Sequence, residues 1–397
     1  MLAAVAVLSV SAGPVQDFRS DLDFLINSLK QYGAYVRQDG IDLDALKAAY
    51  APRFAQVADK RELLKDLEAV VGELHDFHAS LGTNSSSSPR LVPSGTDMIA
   101  HWASGRALID QVREGSVAER AGVHAGDEIV GINGTKARKA CEDWLGFRKP
   151  DARAWDWALN SALAGRWDTP RKVVLRSKGP DKALEMPTAS KSESKRLLAI
   201  EQRPGAIVYL RPENSLGENG LIPAFDRAIP MMRSAKGIVI DLRNTPSGGN
   251  SAVARGIMGL FIGKRLPFQR HRVEERETGT VRDWVEYATP RLSIPIKASL
   301  VVLVGAWTGS MGEGLAIGFD AMRRATVIGT KMAGLRGAVD QIKLPKSGIS
   351  VTFPTEQVFH INGTPRHEWL PPVLIDAKDT GDPWFRAASQ ALCVKQD

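Results

Sequence analysis

The sequence predicts a multidomain chain of α+β and α/β parts: a helical amino-terminal unit, a β-rich middle and a largely parallel α/β carboxy-terminal half. Three observations carry that expectation. Apolar residues recur at helical spacing from Gln16 to about Gly82. Short strands broken by Gly-containing turns fill roughly 93–177, and beyond Ala206 continuous Val/Ile/Leu runs alternate with helical segments. At 397 residues the chain exceeds one ordinary domain, and its 43% hydrophobic content is enough to build a real core.

The first fourteen residues form an apolar run that ends in Val10-Ser-Ala12, small residues at the spacing a signal peptidase accepts, although no basic residue precedes it. Export to a bacterial periplasm or out of the cell is therefore the expectation, with a buried first helix as the alternative. No later apolar run is long enough to insert in a membrane. A helical cap occupies 15–90, its periodic residues being Phe18, Leu22, Leu25 and Leu29, and then Leu63, Leu67, Val70, Val71 and Leu74. It gives way to the Ser-rich loop Thr83–Ser88.

The β unit covers 91–180. Met98–Trp102, Ala107–Val112, Gly126–Asn133 and Lys172–Arg176 read as strands, with a short helix after Gly115 and another near Ala152–Leu163. A polar stretch, 181–200, is expected to be a linker or exposed hairpin. The α/β core fills 201–397, with strands at 206–210, 237–241, 299–304 and 326–329 and helices at 222–234, 251–261 and 312–323.

Composition narrows the function. The formal charge of +7 is spread among mixed charges, with no basic block interleaved with aromatics, so nucleic acid is not an expected partner. Two cysteines, Cys141 and Cys393, are too few for a disulfide scaffold or a thiolate metal site. The seven histidines show no metal-ligand spacing, and neither a metal nor an organic cofactor is expected.

The chemistry concentrates at two turns. Ser299–Val304 is an apolar strand, Gly305-Ala-Trp-Thr-Gly309 is a turn, and Ser310 opens a Gly-rich apolar helix. A hydroxyl there projects above the sheet beside the free amides of a helix N-terminus, which suits a nucleophile. The same residue also suits a helix cap, with Glu313 at the capping-box position. The second turn, Asp241-Leu-Arg243-Asn-Thr-Pro-Ser-Gly248-Gly249, follows a buried strand, and twin glycines let backbone N–H groups approach a ligand. No Lys-Ser/Thr follows them, so this is not a Walker loop.

Two resemblances follow from these residues. Gly115-Ser-x-Ala, Ala121-Gly-Val-x-x-Gly-Asp127-x-Ile and Ile132-Asn-Gly resemble a PDZ domain in the circular arrangement of bacterial proteases. That resemblance implies peptide capture by strand addition, with Gly95, Thr96 and Met98 of the loop leading into the first strand as binding residues. Asp97 in that loop is ill suited to an anionic ligand.

The Asp241–Gly249 turn with one extra residue, Ser310-x-x-Glu313 and Arg324–Thr330 together resemble the C-terminal-processing and tricorn-like serine peptidases. The resemblance implies a crotonase-like ββα-spiral core, a polypeptide substrate and Ser310 as nucleophile, and leaves homo-oligomerisation open. One branch of the family takes its base from a lysine where this chain has Leu335-Arg336. Arg336 stays charged, and Lys331 is offset from the motif. The tricorn-like branch takes a histidine from the cap, which Asp76-Phe-His78 matches, with His75 as the alternative. That branch orients its base with an acid near the C-terminus. Here the degenerate segment Arg366-His-Glu368 offers Glu368, with His367 and Asp340 as fallbacks.

The implied mechanism is attack by Ser310 with His78 as base, and an oxyanion held by the amides of Met311 and of Gly248 or Gly249. A catalytically impaired relative that binds peptides as a scaffold is the competing expectation. The lysine, the family's second serine (Phe77 here) and part of the C-terminal signature are all missing.

Overall fold

The structure, a computed structural model, describes residues 15–177, 179–187, 196–378 and 381–393. The expected export segment, 1–14, lies outside the described residues.

Three helices, Arg19–Tyr32, Leu43–Phe54 and Lys60–Gly72, form the amino-terminal cap. Asp42 and Asp59 start the second and third by accepting from first-turn amides. The apolar stripes face one another, but they do not close on themselves. Leu344, Ile349, Val351 and Phe353 from the far end of the chain complete that core. Val351 and Phe353 belong to the strand Ser350–Phe359, and Leu344 and Ile349 to the turn that joins it to the antiparallel strand Ala338–Lys343. Ser80 and Thr352 exchange two backbone hydrogen bonds of 2.9 Å, which pins the segment just after His78 to this sheet.

The middle unit is an antiparallel sheet in the order Met98–Ala103, Arg106–Val112, Glu128–Ile132, Arg171–Arg176, Lys182–Met186. Helices Ala137–Leu145 and Ala152–Ala164 pack against it around Cys141, Leu159 and Leu163. Lys182–Met186 is a true strand inside the stretch read as linker or hairpin, burying Leu184 and Met186 at the period of two a half-buried strand requires.

In the third unit, Val373–Leu374, Thr326–Gly329, Ser299–Val304, Gly237–Asp241 and Ile207–Pro212 run parallel in that order, and Leu198–Arg203 closes the edge antiparallel. Alternate residues of the central strands face opposite cores. Ile238, Ile240, Val302 and Val304 meet the helices Ser251–Met258 and Met311–Ala321, while Val239, Val301 and Leu303 meet Pro383–Cys393. The helix expected at 222–234 is two short ones, Leu221–Arg227 and Ile229–Ser234.

A second sheet escaped the sequence reading. The hairpin Leu266–Glu275 and Thr280–Ala288 pairs with Ser350–Phe359, and its charged, half-exposed residues lack the apolar run that marks a buried strand. Among the described residues no helix is long and apolar enough to cross a membrane.

Candidate active site

Ser310 sits where the central strand Ser299–Val304 turns into the helix Met311–Ala321. Its backbone is left-handed, φ 49° and ψ −111°, a conformation that costs a non-glycine residue on the order of 1–3 kcal/mol. Glu313, fully buried, holds the turn. Its Oε2 accepts from the Ser310 amide at 2.8 Å and from the Leu335 amide at 3.2 Å, and its Oε1 accepts from Gly334 at 2.9 Å. Burial pushes this carboxyl up to about 7, against the pull of Arg366 and of these amides. Glu313 thus does more than cap a helix: it ties the serine turn to the strap Gly334–Gly337.

The glycine turn is laced alongside. Thr245 N–H donates to Trp307 O at 3.1 Å, Gly309 N–H to Thr245 O at 3.2 Å, and Thr308 Oγ1 to Leu242 O at 2.9 Å. This draws Gly248 against the serine so closely that a Cβ there would stand 2.4 Å from Ser310 Cβ and 3.0 Å from Ser310 Oγ. Gly248 also has φ +64°, so glycine is required twice over. Its amide is committed to Thr245 O at 3.1 Å. The Gly249 amide makes no hydrogen bond among the described residues, which makes it the better donor of the pair. Met311 supplies the first amide of a helix, one of those without an intrahelical acceptor.

Asp241 and Arg243 support this turn from below. Arg243 grips the fully buried Asp241 at 3.0 Å and 2.9 Å, and Tyr209 O–H donates to the same carboxylate. Burial works against that charge, yet Arg243 and Tyr209 hold the carboxyl below its ordinary value.

His78 approaches from the cap. Its Nδ1 lies 2.7 Å from the carbonyl of Arg336. A carbonyl only accepts, so Nδ1 carries the proton and Nε2 keeps its lone pair. Burial, and next the Arg366 cation, push this imidazole down to about 4. Asp76 accepts from the His78 amide at 2.9 Å, and burial pushes its carboxyl up to about 6 despite Arg336.

The strap is fixed on every side. The Arg336 guanidinium makes hydrogen bonds of 2.6 and 3.1 Å to Asp39 and stacks 3.8 Å over Tyr35. Arg366, 3% exposed, donates to Leu335 O at 2.9 Å and to Gly337 O. The strap therefore spans the site, its amides on the Ser310 side and the Arg336 carbonyl on His78. No hydrogen bond joins His78 to Ser310 among the described residues.

Residues 219–372 match the sequence profile of peptidase family S41, and residues 108–141 that of a PDZ domain. The third unit is an S41 peptidase core. No curated protein matches the chain in sequence. Solved structures match over nearly the whole length. The photosystem II D1 C-terminal processing protease aligns with a TM-score of 0.58 at 19% identity, covering 91% of this chain and 94% of that one. Mature CPAF aligns at 0.65 and 14%, covering 96% and 98%. A putative peptidase from Parabacteroides merdae aligns at 0.56 and 16%, also covering 96% and 98%. At these identities the likeness is one of fold.

Several expected residues lie elsewhere on the S41 core and its neighbours. Glu368 does not orient His78: its side chain is 61% exposed and faces His367 at 3.6 Å. Arg366, two positions earlier in the same segment, is the residue that reaches the strap. His75 points away from the core, its Nε2 3.1 Å from Leu145 O and its ring against Trp157. Lys331 is exposed, and Asp340 accepts from Thr355 at 2.7 Å.

The PDZ-like loop is also not a free binding edge. Thr96 and Met98 are buried, a Cβ on Gly95 would meet Arg90 Cβ at 2.4 Å, and Thr96 O accepts from Trp307 Nε1 of the S41 core at 3.3 Å. The outward edge of Met98–Ala103 is sealed as well. Asn160 accepts from Ala100 N–H at 3.0 Å and donates to Ala100 O at 2.7 Å, and Asp156 accepts from Trp102 N–H at 2.7 Å. An added peptide strand needs those same groups.

Sequence reasoning missed Arg336 O, Arg366 and Asp39. Nothing in residue identity marks a backbone carbonyl or the burial of an arginine, which is why the segment Arg366-His-Glu368 points to its acid in sequence and to its arginine in the structure.

Proposed function

We propose that this protein is a serine peptidase in which Ser310 is the nucleophile and His78 the general base. The observation that carries the reading is the strained Ser310 backbone pressed against Gly248, since a left-handed serine between a strand and a helix has no packing purpose. His78 Nε2 takes the hydroxyl proton as Ser310 Oγ bonds to the peptide carbonyl carbon. The oxyanion accepts from Met311 N–H and Gly249 N–H. The imidazolium then passes its proton to the leaving amine, the C–N bond breaks, and water hydrolyses the acyl-enzyme by the reverse route.

The Arg336 carbonyl does the orienting that the family resemblance assigned to an acid. A carbonyl fixes the tautomer but compensates an imidazolium less than a carboxylate does, which implies slower turnover than in an acid-assisted triad. The absent Ser310–His78 hydrogen bond is compatible with a free enzyme, where such contacts commonly tighten only around substrate.

That same gap favours a second reading, a peptide-binding relative with little catalysis. An active-site-directed fluorophosphonate separates the two. The serine peptidase labels at neutral pH, loses labelling entirely in Ser310→Ala, and labels at least a hundredfold more slowly in His78→Ala. Absence of labelling in the unaltered protein rejects the enzyme. The role proposed for the PDZ-like unit is to brace the Trp307 turn through Thr96, rather than to engage substrate by strand addition.

A further inference from the structure

One carboxylate joins all three units of the chain. Asp39 lies in the turn that follows the first cap helix, where its amide donates to Tyr35 O at 2.9 Å. Its Oδ2 accepts from Arg336 Nη1 of the S41 core at 2.6 Å and from Arg153 Nη2 at 2.8 Å, and its Oδ1 accepts from Arg336 Nη2 at 3.1 Å. Arg153 stands in the first turn of the β-unit helix Ala152–Ala164. The Asp39 side chain is 12% exposed and that of Arg336 8%, so solvent screens this pair little.

Arg336 meets the base at its other end, through the carbonyl that lies against His78 Nδ1. Gly334 and Gly337, both in the left-handed region, bracket this stretch, and the chain alone does not fix where that carbonyl points. Glu313 holds the amides of Gly334 and Leu335, and Arg366 the carbonyls of Leu335 and Gly337. Residue 336 itself is anchored by its guanidinium, whose hydrogen bonds among the described residues both end on Asp39. The other carboxylate beside this cation, at 3.9 Å, is Asp76, which accepts from the His78 amide at 2.9 Å. Asp39 therefore also keeps the cation off the group that seats the His78 backbone.

We propose that Asp39 is a positioning residue for the general base: gripped by Arg153, it holds the Arg336 guanidinium and so aims the carbonyl that fixes the His78 tautomer. This rests on the peptidase reading, in which His78 is the base. Without the Asp39 charge, Arg153 and Arg336 are left close together with Asp76 as their remaining carboxylate. The Arg336 guanidinium then moves toward Asp76 and its carbonyl leaves Nδ1. The ring becomes free to carry its proton on Nε2, the nitrogen that must accept one from Ser310.

Asp39→Asn, equal in size, removes the charge and one acceptor oxygen, and two measurements follow it. Long-range proton–nitrogen NMR shows which ring nitrogen of His78 is protonated, the signal being assigned by its loss in His78→Ala. The proton is expected on Nδ1 in the unaltered protein and on a mixture of both nitrogens in Asp39→Asn. Fluorophosphonate labelling is expected to lose about tenfold or more in its maximal rate with its half-saturating concentration unchanged, as a misplaced base implies. Arg153→Met is expected to slow labelling less, and the double variant to be no slower than Asp39→Asn alone, because Arg153 acts through Asp39. An unchanged rate, a slower rate with the His78 proton still wholly on Nδ1, or losses that multiply in the double variant overturns the proposal. Should Asp39→Asn not fold, Arg153→Met decides: a shifted tautomer supports the proposal and an unshifted one overturns it. Should the unaltered protein resist labelling, the peptidase reading falls, while the tautomer comparison still tests whether Asp39 places the ring.

Discussion

His78 is buried beside a cation and hydrogen-bonded through Nδ1 to a carbonyl, and the first two features disfavour its charged form. An imidazole held near 4 is neutral, and so able to accept a proton, at every pH well above that value. The acid limb of kcat/KM should therefore fall with a midpoint near pH 4 to 5, instead of near the ordinary histidine value of about 6.5. A pH–rate profile checks this, and a midpoint at 6.5 or higher speaks against the burial described for His78. The turns that carry Ser310 and the Gly248–Gly249 pair were legible in the sequence because each strand, turn and helix is local grammar, complete within a dozen residues. The partner of His78 was not legible. It is a backbone carbonyl 258 positions away, and a carbonyl leaves no signature in residue identity. Glu368 was misread for the converse reason: acidity suggested a role that its exposed position denies.

Among elements, the PDZ-like unit shows how a motif can predict a fold and mislead about its use. Its glycines and the Asp127 turn fix strand and helix order, and these follow from short-range spacing. Whether its edge strand is free depends on Asn160 and Asp156, side chains of a helix 60 and 54 positions beyond the groups they seal. Asn160→Ala leaves Ala100 N–H and C=O without partners. The expected cost is about 2–4 kcal/mol, since two buried polar groups are orphaned at about 1–3 kcal/mol each and some relax toward water. Hydrogen exchange at Ala100 should accelerate together with a lower Tm, while Trp102, whose amide is held by Asp156, should change less. Unaltered exchange at Ala100 means the edge is not held by Asn160. Should the opened edge then acquire peptide affinity, the seal itself is what withholds strand addition in the native unit.

At the scale of the whole molecule, the site exists only because distant ends of the chain share one core. The cap cannot bury its apolar faces without Leu344, Ile349, Val351 and Phe353, and Asp21, fully buried, accepts from the Lys346 and Ser347 amides at 2.7 and 2.9 Å. Arg276 adds hydrogen bonds to Leu29, Lys30 and Gly33 carbonyls at the end of the first helix. The sequence divides naturally at the Ser-rich loop, but the energetics do not divide there. A fragment comprising residues 15–90 should thus remain largely unfolded, because its helices would expose the face that the carboxy-terminal strands cover. In the full chain, Asp21→Ala orphans two amides at the cap–core seam and should lower stability by about 2–4 kcal/mol. Because cap and S41 core share that seam, the loss should appear as a lower midpoint of one transition that includes the cap helices, followed by circular dichroism and by peptidase activity together. Activity that outlasts the cap's helical signal would mean that His78 reaches Ser310 without the bundle that carries it, and would undo the coupling argued here between the two ends of the chain.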